Sequence, residues 1–406
     1  MLKKISFLEI LIFLSIIFLP FDNKTVFNVP IGLLGIWLLL NIKRGYKLLK
    51  DNKIGLIYLL FLSLLGILSL FSDDPMESLK GYFQVFIPSL IIFLGLAVYL
   101  LEKGEIALKR LVYFCLIPLT LFLTTNCWYL LKGVFPCKIF YYGNANNTIA
   151  SLIVFFAPLV FALLISPPFS SVLNILKKIS FFLVFITSII ILTYSNGRAS
   201  FFGFLSFGIF LGISFLFYSF SKKGKMGVIL GISLLILISL ALIITPKEIW
   251  KITVSDIKSR SFSNRHGIWV GAFYAIKERP LTGYGWYRNT FTNQFREKFH
   301  IYPDRRGLSH PDFPRSAHNV FLEMAFASGL PGLIGFLIIC SLAIKNCLYN
   351  LFKDHTSWKI ASLWILVGGY LIAGQFTCFY RDYPWVRFSI VMAIVSYIYK
   401  KNIEKG

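Results

Sequence analysis

Acidic residues are scarce. The 406-residue chain holds 18 Asp and Glu against 41 Lys and Arg, a formal net charge of +23, and all charged residues together make up only 15%. A soluble domain carries about a quarter, so a soluble globular enzyme is excluded. The six cysteines (Cys115, Cys127, Cys137, Cys340, Cys347 and Cys378) form no CxxC pair, which excludes zinc-ribbon and thiol-redox motifs. Cys127 and Cys137 flank one proposed external loop and could pair there, but they read first as two unpaired thiols. HExxH, P-loop and GxSxG motifs are all missing, and with them the chemistries they carry. No DxD occurs in the outward loops, and the adjacent Asp73-Asp74 pair reads as a solvated turn. Alternating segments of roughly ten residues, the mark of an outer-membrane barrel, are also missing.

What the chain has is hydrophobic residues, 57% of the total, in runs of helix-spanning length. A bilayer core needs about 20 apolar residues of helix. That rule predicts an all-α polytopic membrane protein with about twelve spans, near 5–21, 26–42, 54–71, 81–101, 111–131, 148–166, 179–195, 199–220, 226–245, 317–344, 358–379 and 386–399. Lys3 and Lys4 precede the first, but no small-residue cleavage site follows, so it reads as an uncleaved span. With the N-terminus inside, 21 Lys and Arg fall on inner segments and 7 in short outer loops. This asymmetry is the positive-inside pattern, and it places both termini in the cytoplasm. The basic charge is then a topology signal, and no nucleic-acid partner is implied.

The chain accordingly divides into helices one to nine (1–245), one long outer loop (246–316) and helices ten to twelve (317–406). The loop carries the remaining 13 basic residues and six acids, a net +7. Trp269, Phe273, Tyr284, Trp286 and Tyr287 within it argue for folded structure.

Three residues facing outside stand out. Ile268, Trp269, Ala272, Phe273 and Ile276 recur at helical spacing after Ser263-Asn264-Arg265. Ser263 or Asn264 can cap that helix, which puts Arg265 on its first turn. A helix N-terminus with a guanidinium suits phosphate; an interfacial helix with Arg265 at lipid headgroups fits equally. Arg198 sits in a tight turn between two apolar spans. A charge at that depth reads as functional before it reads as snorkelling. His318 opens the tenth span, where the positive end of the helix dipole would keep it neutral. A neutral imidazole can serve as a general base toward a hydroxyl. Equally, His318, Asn319 and Glu323 could form a structural polar cluster between helices. Pro331, between Gly329 and Gly332, should kink this span. Arginines without a carboxylate cluster suggest anion chemistry without a metal, in which two guanidinium groups neutralise a pyrophosphate leaving group.

His318-Asn319, nine residues, then Gly329-Leu330-Pro331-Gly332 resembles the His-Asn-x9-Gly-x-x-Gly signature of O-antigen ligases. Arg265 to Trp269, followed by Pro280-Leu281-Thr282-Gly283-Tyr284-Gly285, resembles the Arg-x3-Trp and Pro-x-x-Gly-x-Gly run of that family's long periplasmic loop. Ser195 to Arg198 resembles its short outward Ser-x-x-Arg motif. The specific likeness is concentrated in about 190–335. The resemblance implies a bacterial inner-membrane glycosyltransferase of GT-C-like fold that needs no cofactor. It implies transfer of a finished glycan from undecaprenyl pyrophosphate onto a sugar hydroxyl of lipid A–core, on the periplasmic face. Arg198 and Arg265 would bind pyrophosphate, and His318 would activate the acceptor. Arg288 and Arg315 are added as substrate-contact candidates on charge and position. The alternatives are an O-antigen polymerase, with a second lipid-linked glycan as acceptor, and a transporter or flippase. Against the latter, no internal repeat is visible.

Overall fold

The computed structural model describes residues 6–17, 24–132, 145–166, 172–194, 198–222, a few positions within 232–239, and then 265–286, 290–298, 316–349, 351, 356–376 and 382–404. Among these residues there is helix and no strand, as the long apolar runs require. In a lipid phase, backbone polar groups must be satisfied within the segment, and the helix does that.

The helices are α1 (Phe7–Ile17), α2 (Lys24–Leu40), α3 (Ile42–Leu49), α4 (Lys53–Leu70), α5 (Pro75–Lys103), α6 (Glu105–Leu131), α7 (Ala145–Ile165), α8 (Val172–Tyr194) and α9 (Arg198–Lys222). They continue with α10 (Arg265–Glu278), α11 (Thr290–Lys298), α12 (Val320–Leu348), α13 (Thr356–Leu363) and α14 (Asp382–Ile403). Among the described residues, five helical stretches are long and apolar enough to cross a membrane: Lys53–Leu70, Pro75–Lys103, Glu105–Leu131, Asn174–Tyr194 and Val320–Leu348. Shorter apolar helices lie at Phe7–Ile17, Asn28–Leu40, Ala150–Ile165, Ser200–Ile213 and Ser357–Ile372. The predicted ninth span, 226–245, lies almost wholly outside the described residues.

The chain packs as two compact units. One comprises Met1–Phe114, Val254–His355 and Gly374–Gly406; the other comprises Cys115–Thr253 and Thr356–Ala373. In the first unit α5 packs along α14 and α4, α4 along α12, and α10 against α12. Polar side chains tie these helices together. Tyr58 and Ser389 share a hydrogen bond of 2.7 Å, and Asn52 donates to the Ser396 carbonyl at 2.9 Å while also capping α4 through the Gly55 N–H. Near the chain start the buried Glu9 carboxylate accepts from Tyr99 at 2.7 Å and pairs with Arg110. Short α3 carries Lys43, Arg44 and Lys47 beside exposed Ile42 and Tyr46, the make-up of an interfacial helix.

In the second unit α7 packs on α8 and on α13. From α13 the chain runs on as a π-helix, Trp364–Ile372, packed on α9. The fully buried Trp364 donates its indole N–H to the Phe204 carbonyl at 3.0 Å and stacks on the Phe204 ring, 4.6 Å between centroids. Among the described residues Cys115, Cys127 and Cys340 are free thiols; Cys137 lies outside them.

Candidate active site

The site is built in the first unit from the described parts of the loop and the start of α12. Helix α10 begins at Arg265, where the apolar spacing predicts. Ile268, Ala272, Ala275 and Ile276 form its buried stripe and share one apolar cluster with Tyr284, Phe291, Ala317, Ala325 and Phe326. Burying side chains such as these contributes about 1.5–3 kcal/mol each for the larger ones. Helix α10 is therefore packed into the first unit by one face, while Phe273 and Tyr274 stay exposed on it.

After α10 the chain turns through Pro280–Gly285 and lies against the kink of α12. That kink falls at Ser328 (φ −132°, ψ 16°) and Gly329 (φ 66°, ψ −175°), just before Pro331. Proline has no N–H to give and clashes with the turn before it, so carbonyls in the preceding turn lose their helical partners. The loop supplies new ones. Tyr284 N–H donates to the Phe326 carbonyl at 2.8 Å and Gly285 N–H to that of Ala327 at 2.9 Å. In return, Leu330 N–H donates to the Pro280 carbonyl at 2.7 Å. A Cβ on Gly283 would stand 2.6 Å from the Ala327 carbonyl carbon, and one on Gly329 would stand 2.6 Å from Leu281 backbone atoms. The two glycine motifs, some 45 positions apart in the sequence, are thus the two sides of one backbone joint.

Aromatic packing seats the joint. Tyr284 stacks on Phe326, 5.1 Å between centroids, and donates its hydroxyl to Glu278 at 2.6 Å. Burial, then the bond to Glu278, pushes its phenol pKa up. Trp286 stands edge-on to Phe86 at 4.8 Å, and its backbone N–H donates to Ser78 Oγ at 3.1 Å. The α4–α5 turn joins in as well. Asp73 pairs with Arg279 and accepts from Gln294 Nε2 at 3.3 Å, while Asp74 caps α5 through the Glu77 N–H at 3.1 Å. Asp73 and Asp74 are exposed, as expected of a solvated turn, and Asp73 also serves as a docking point for the loop. No sequence signal pairs Asp73 with residues about 200 positions later.

His318 lies two residues ahead of α12, not on its first turn. Asn319 is the N-cap, and its side chain accepts from the Phe321 and Leu322 N–H groups at 3.0 and 3.1 Å. Asparagine is among the best capping residues, and the cap rule, applied to this sequence, would have set the boundary here. Glu323 is buried on the first turn, where the dipole favours an acid. His318 takes a left-handed backbone (φ 50°) and is the single non-glycine residue with positive φ among those described. Burial, followed by the Arg265 charge, pushes its pKa down to about 4. That direction favours the neutral imidazole, through burial first and Arg265 second.

Arg265 and His318 are therefore brought within electrostatic reach of each other. For Arg198 the structure gives only its backbone, at the start of α9. Arg288 and Arg315 lie outside the described residues. No three His, Cys, Asp or Glu side chains come together to hold a metal ion among the described residues.

His318 is expected to stay neutral down to about pH 4, and Arg265→Gln should move its midpoint up toward the ordinary 6.5. Histidine-labelled protein in detergent, titrated by NMR, checks both. A wild-type midpoint at 6.5 would contradict the half-buried placement beside Arg265.

The comparison with known families bears on this same stretch. Residues 181–337 match the family model described as O-Antigen ligase. The chain carries that family's segment. The match covers Arg198, Arg265, His318 and both sides of the glycine joint. No curated protein matches the chain. The match supports a general transferase role, and the long apolar helices point to a membrane protein.

Proposed function

We propose that this chain is an O-antigen ligase that moves a glycan from undecaprenyl pyrophosphate to a sugar hydroxyl of lipid A–core on the periplasmic face of a bacterial inner membrane. What supports the reading is a half-buried His318 that burial and the nearby Arg265 charge hold toward the neutral form, inside the segment that matches the ligase family. In this reading His318 takes the proton of the acceptor hydroxyl as that oxygen attacks the sugar carbon. The bond from that carbon to the pyrophosphate oxygen breaks, and the lipid pyrophosphate leaves. Arg265 and Arg198 receive its developing charge, the role a divalent cation has in other enzymes. Arg288 and Arg315 are second-tier contacts to phosphate or glycan. About twelve spans, a GT-C-like frame and cytoplasmic termini belong to the same proposal.

A neutral imidazole is free to accept the proton, while the neighbouring guanidinium lowers its basicity. The cation disfavours a premature imidazolium, and it can serve the leaving group in the same step. Lysine at position 198 or 265 should rescue poorly, with at least tenfold less transfer, because the bidentate fork is lost. Full rescue at both positions would reduce the two arginines to point charges.

The deciding experiment supplies purified protein with lipid-linked glycan and either lipid A–core or a second lipid-linked glycan, with EDTA throughout. Product on lipid A–core in EDTA is expected. Product only on the second lipid-linked glycan would make the protein a polymerase. Activity that appears only when Mg²⁺ or Mn²⁺ is added would overturn the metal-free mechanism.

A further inference from the structure

We propose that Trp269 is a positioning residue for His318, holding through its indole N–H the peptide from which the imidazole projects. The indole Nε1–H donates to the Ala317 carbonyl at 3.0 Å. That carbonyl belongs to the peptide whose nitrogen is His318's own, so the bond fixes the plane from which the His318 φ rotation starts. Ala317 is fully buried within the α10 cluster, where water cannot easily replace the indole as donor. On the other side of His318 the chain is fixed by Asn319, whose side chain caps α12.

Between these two fixed points His318 is held at φ 50°, a conformation uncommon outside glycine although histidine is enriched in it. Arg265 and Trp269 are four residues apart on α10, so they share a face. One helix face therefore carries both the charge that His318 feels and the donor that aims it. The sequence shows an Arg-x3-Trp spacing; the structure gives the tryptophan a reason to be tryptophan.

The kinetic arm of the test rests on the ligase reading, and the chemical arm does not. Trp269→Phe keeps a ring and removes the donor. His318 carbethoxylation by diethyl pyrocarbonate, followed by mass spectrometry of its peptide in detergent-solubilised full-length protein, reads the imidazole's shielding without any substrate. The variant is expected to raise that rate about tenfold, from the loss of one hydrogen bond. It is expected to lower kcat for transfer by about the same factor, with KM for the lipid-linked donor unchanged. Where phenylalanine prevents folding, 3-benzothienylalanine at position 269 keeps the indole shape and removes only the N–H.

Unchanged His318 reactivity in a folded variant would overturn the proposal. Faster modification with unchanged kcat would overturn it as well, since the position held would not be one that catalysis uses. If the wild type transfers to no acceptor, the ligase reading falls, and the modification rate alone decides whether Trp269 positions His318.

Discussion

Gly329→Ala is expected to leave little folded protein. Its backbone (φ 66°, ψ −175°) lies in a region that is essentially glycine's alone, where another residue costs about 1–3 kcal/mol. The added Cβ would also stand 2.6 Å from Leu281 backbone atoms. Neither partner is a flexible side-chain tip, so the loop must move away. Moving it breaks the Leu330-to-Pro280 hydrogen bond and loosens the two from Tyr284 and Gly285, each contributing about 0.5–1.5 kcal/mol. These terms together amount to several kcal/mol, against a total stability of about 5–15 kcal/mol for a typical domain. Thermal unfolding of detergent-solubilised protein, followed by size-exclusion chromatography, measures the loss. Gly32→Ala is the matched control, because nothing lies within 4 Å of a Cβ there and alanine favours helix. A Gly329→Ala protein with the wild-type midpoint would mean that the two motifs do not form one joint.

His318→Asn should abolish transfer while the protein folds normally. Removing a general base lowers rate by about 10²–10⁴. Asparagine is the better replacement, since it tolerates the left-handed backbone (φ 50°) that His318 occupies. Alanine there would mix backbone strain with the loss of the base. The signature is a collapse of kcat with the unfolding midpoint intact. Retained transfer would remove the base assignment and leave His318 to a structural role.

The sequence made some of this readable because some of it is local. Apolar runs marked the helices, since lipid demands continuous apolar faces. The 3.6-residue spacing after Asn264 located the start of α10, and Pro331 located the kink. Hydropathy misplaced the start of α12 by three residues, because Ala317 is apolar and buried although it precedes the helix. The long-range half was not readable. Gly283 and Gly329 each have an evident turn-forming use alone, and nothing in the spacing says that they face each other. Asp73 pairs with Arg279 across some 200 residues, and Trp269 reaches Ala317 across 48. Such contacts follow from how helices pack, which periodicity does not encode. Arg265 was singled out for its helix position, yet its reach to His318 depends on α10 packing against α12.

The central claim is that this chain transfers lipid-linked glycan to lipid A–core with His318 as the base. A bacterial host that makes lipid-linked O-antigen but lacks its own ligase tests it most directly. The wild-type chain and the His318→Asn variant are expressed there, with membrane levels matched by immunoblot, and lipopolysaccharide is resolved on a gel. The account predicts a ladder of glycan-bearing lipopolysaccharide with the wild type and none with the variant. Equal ladders with both would contradict it.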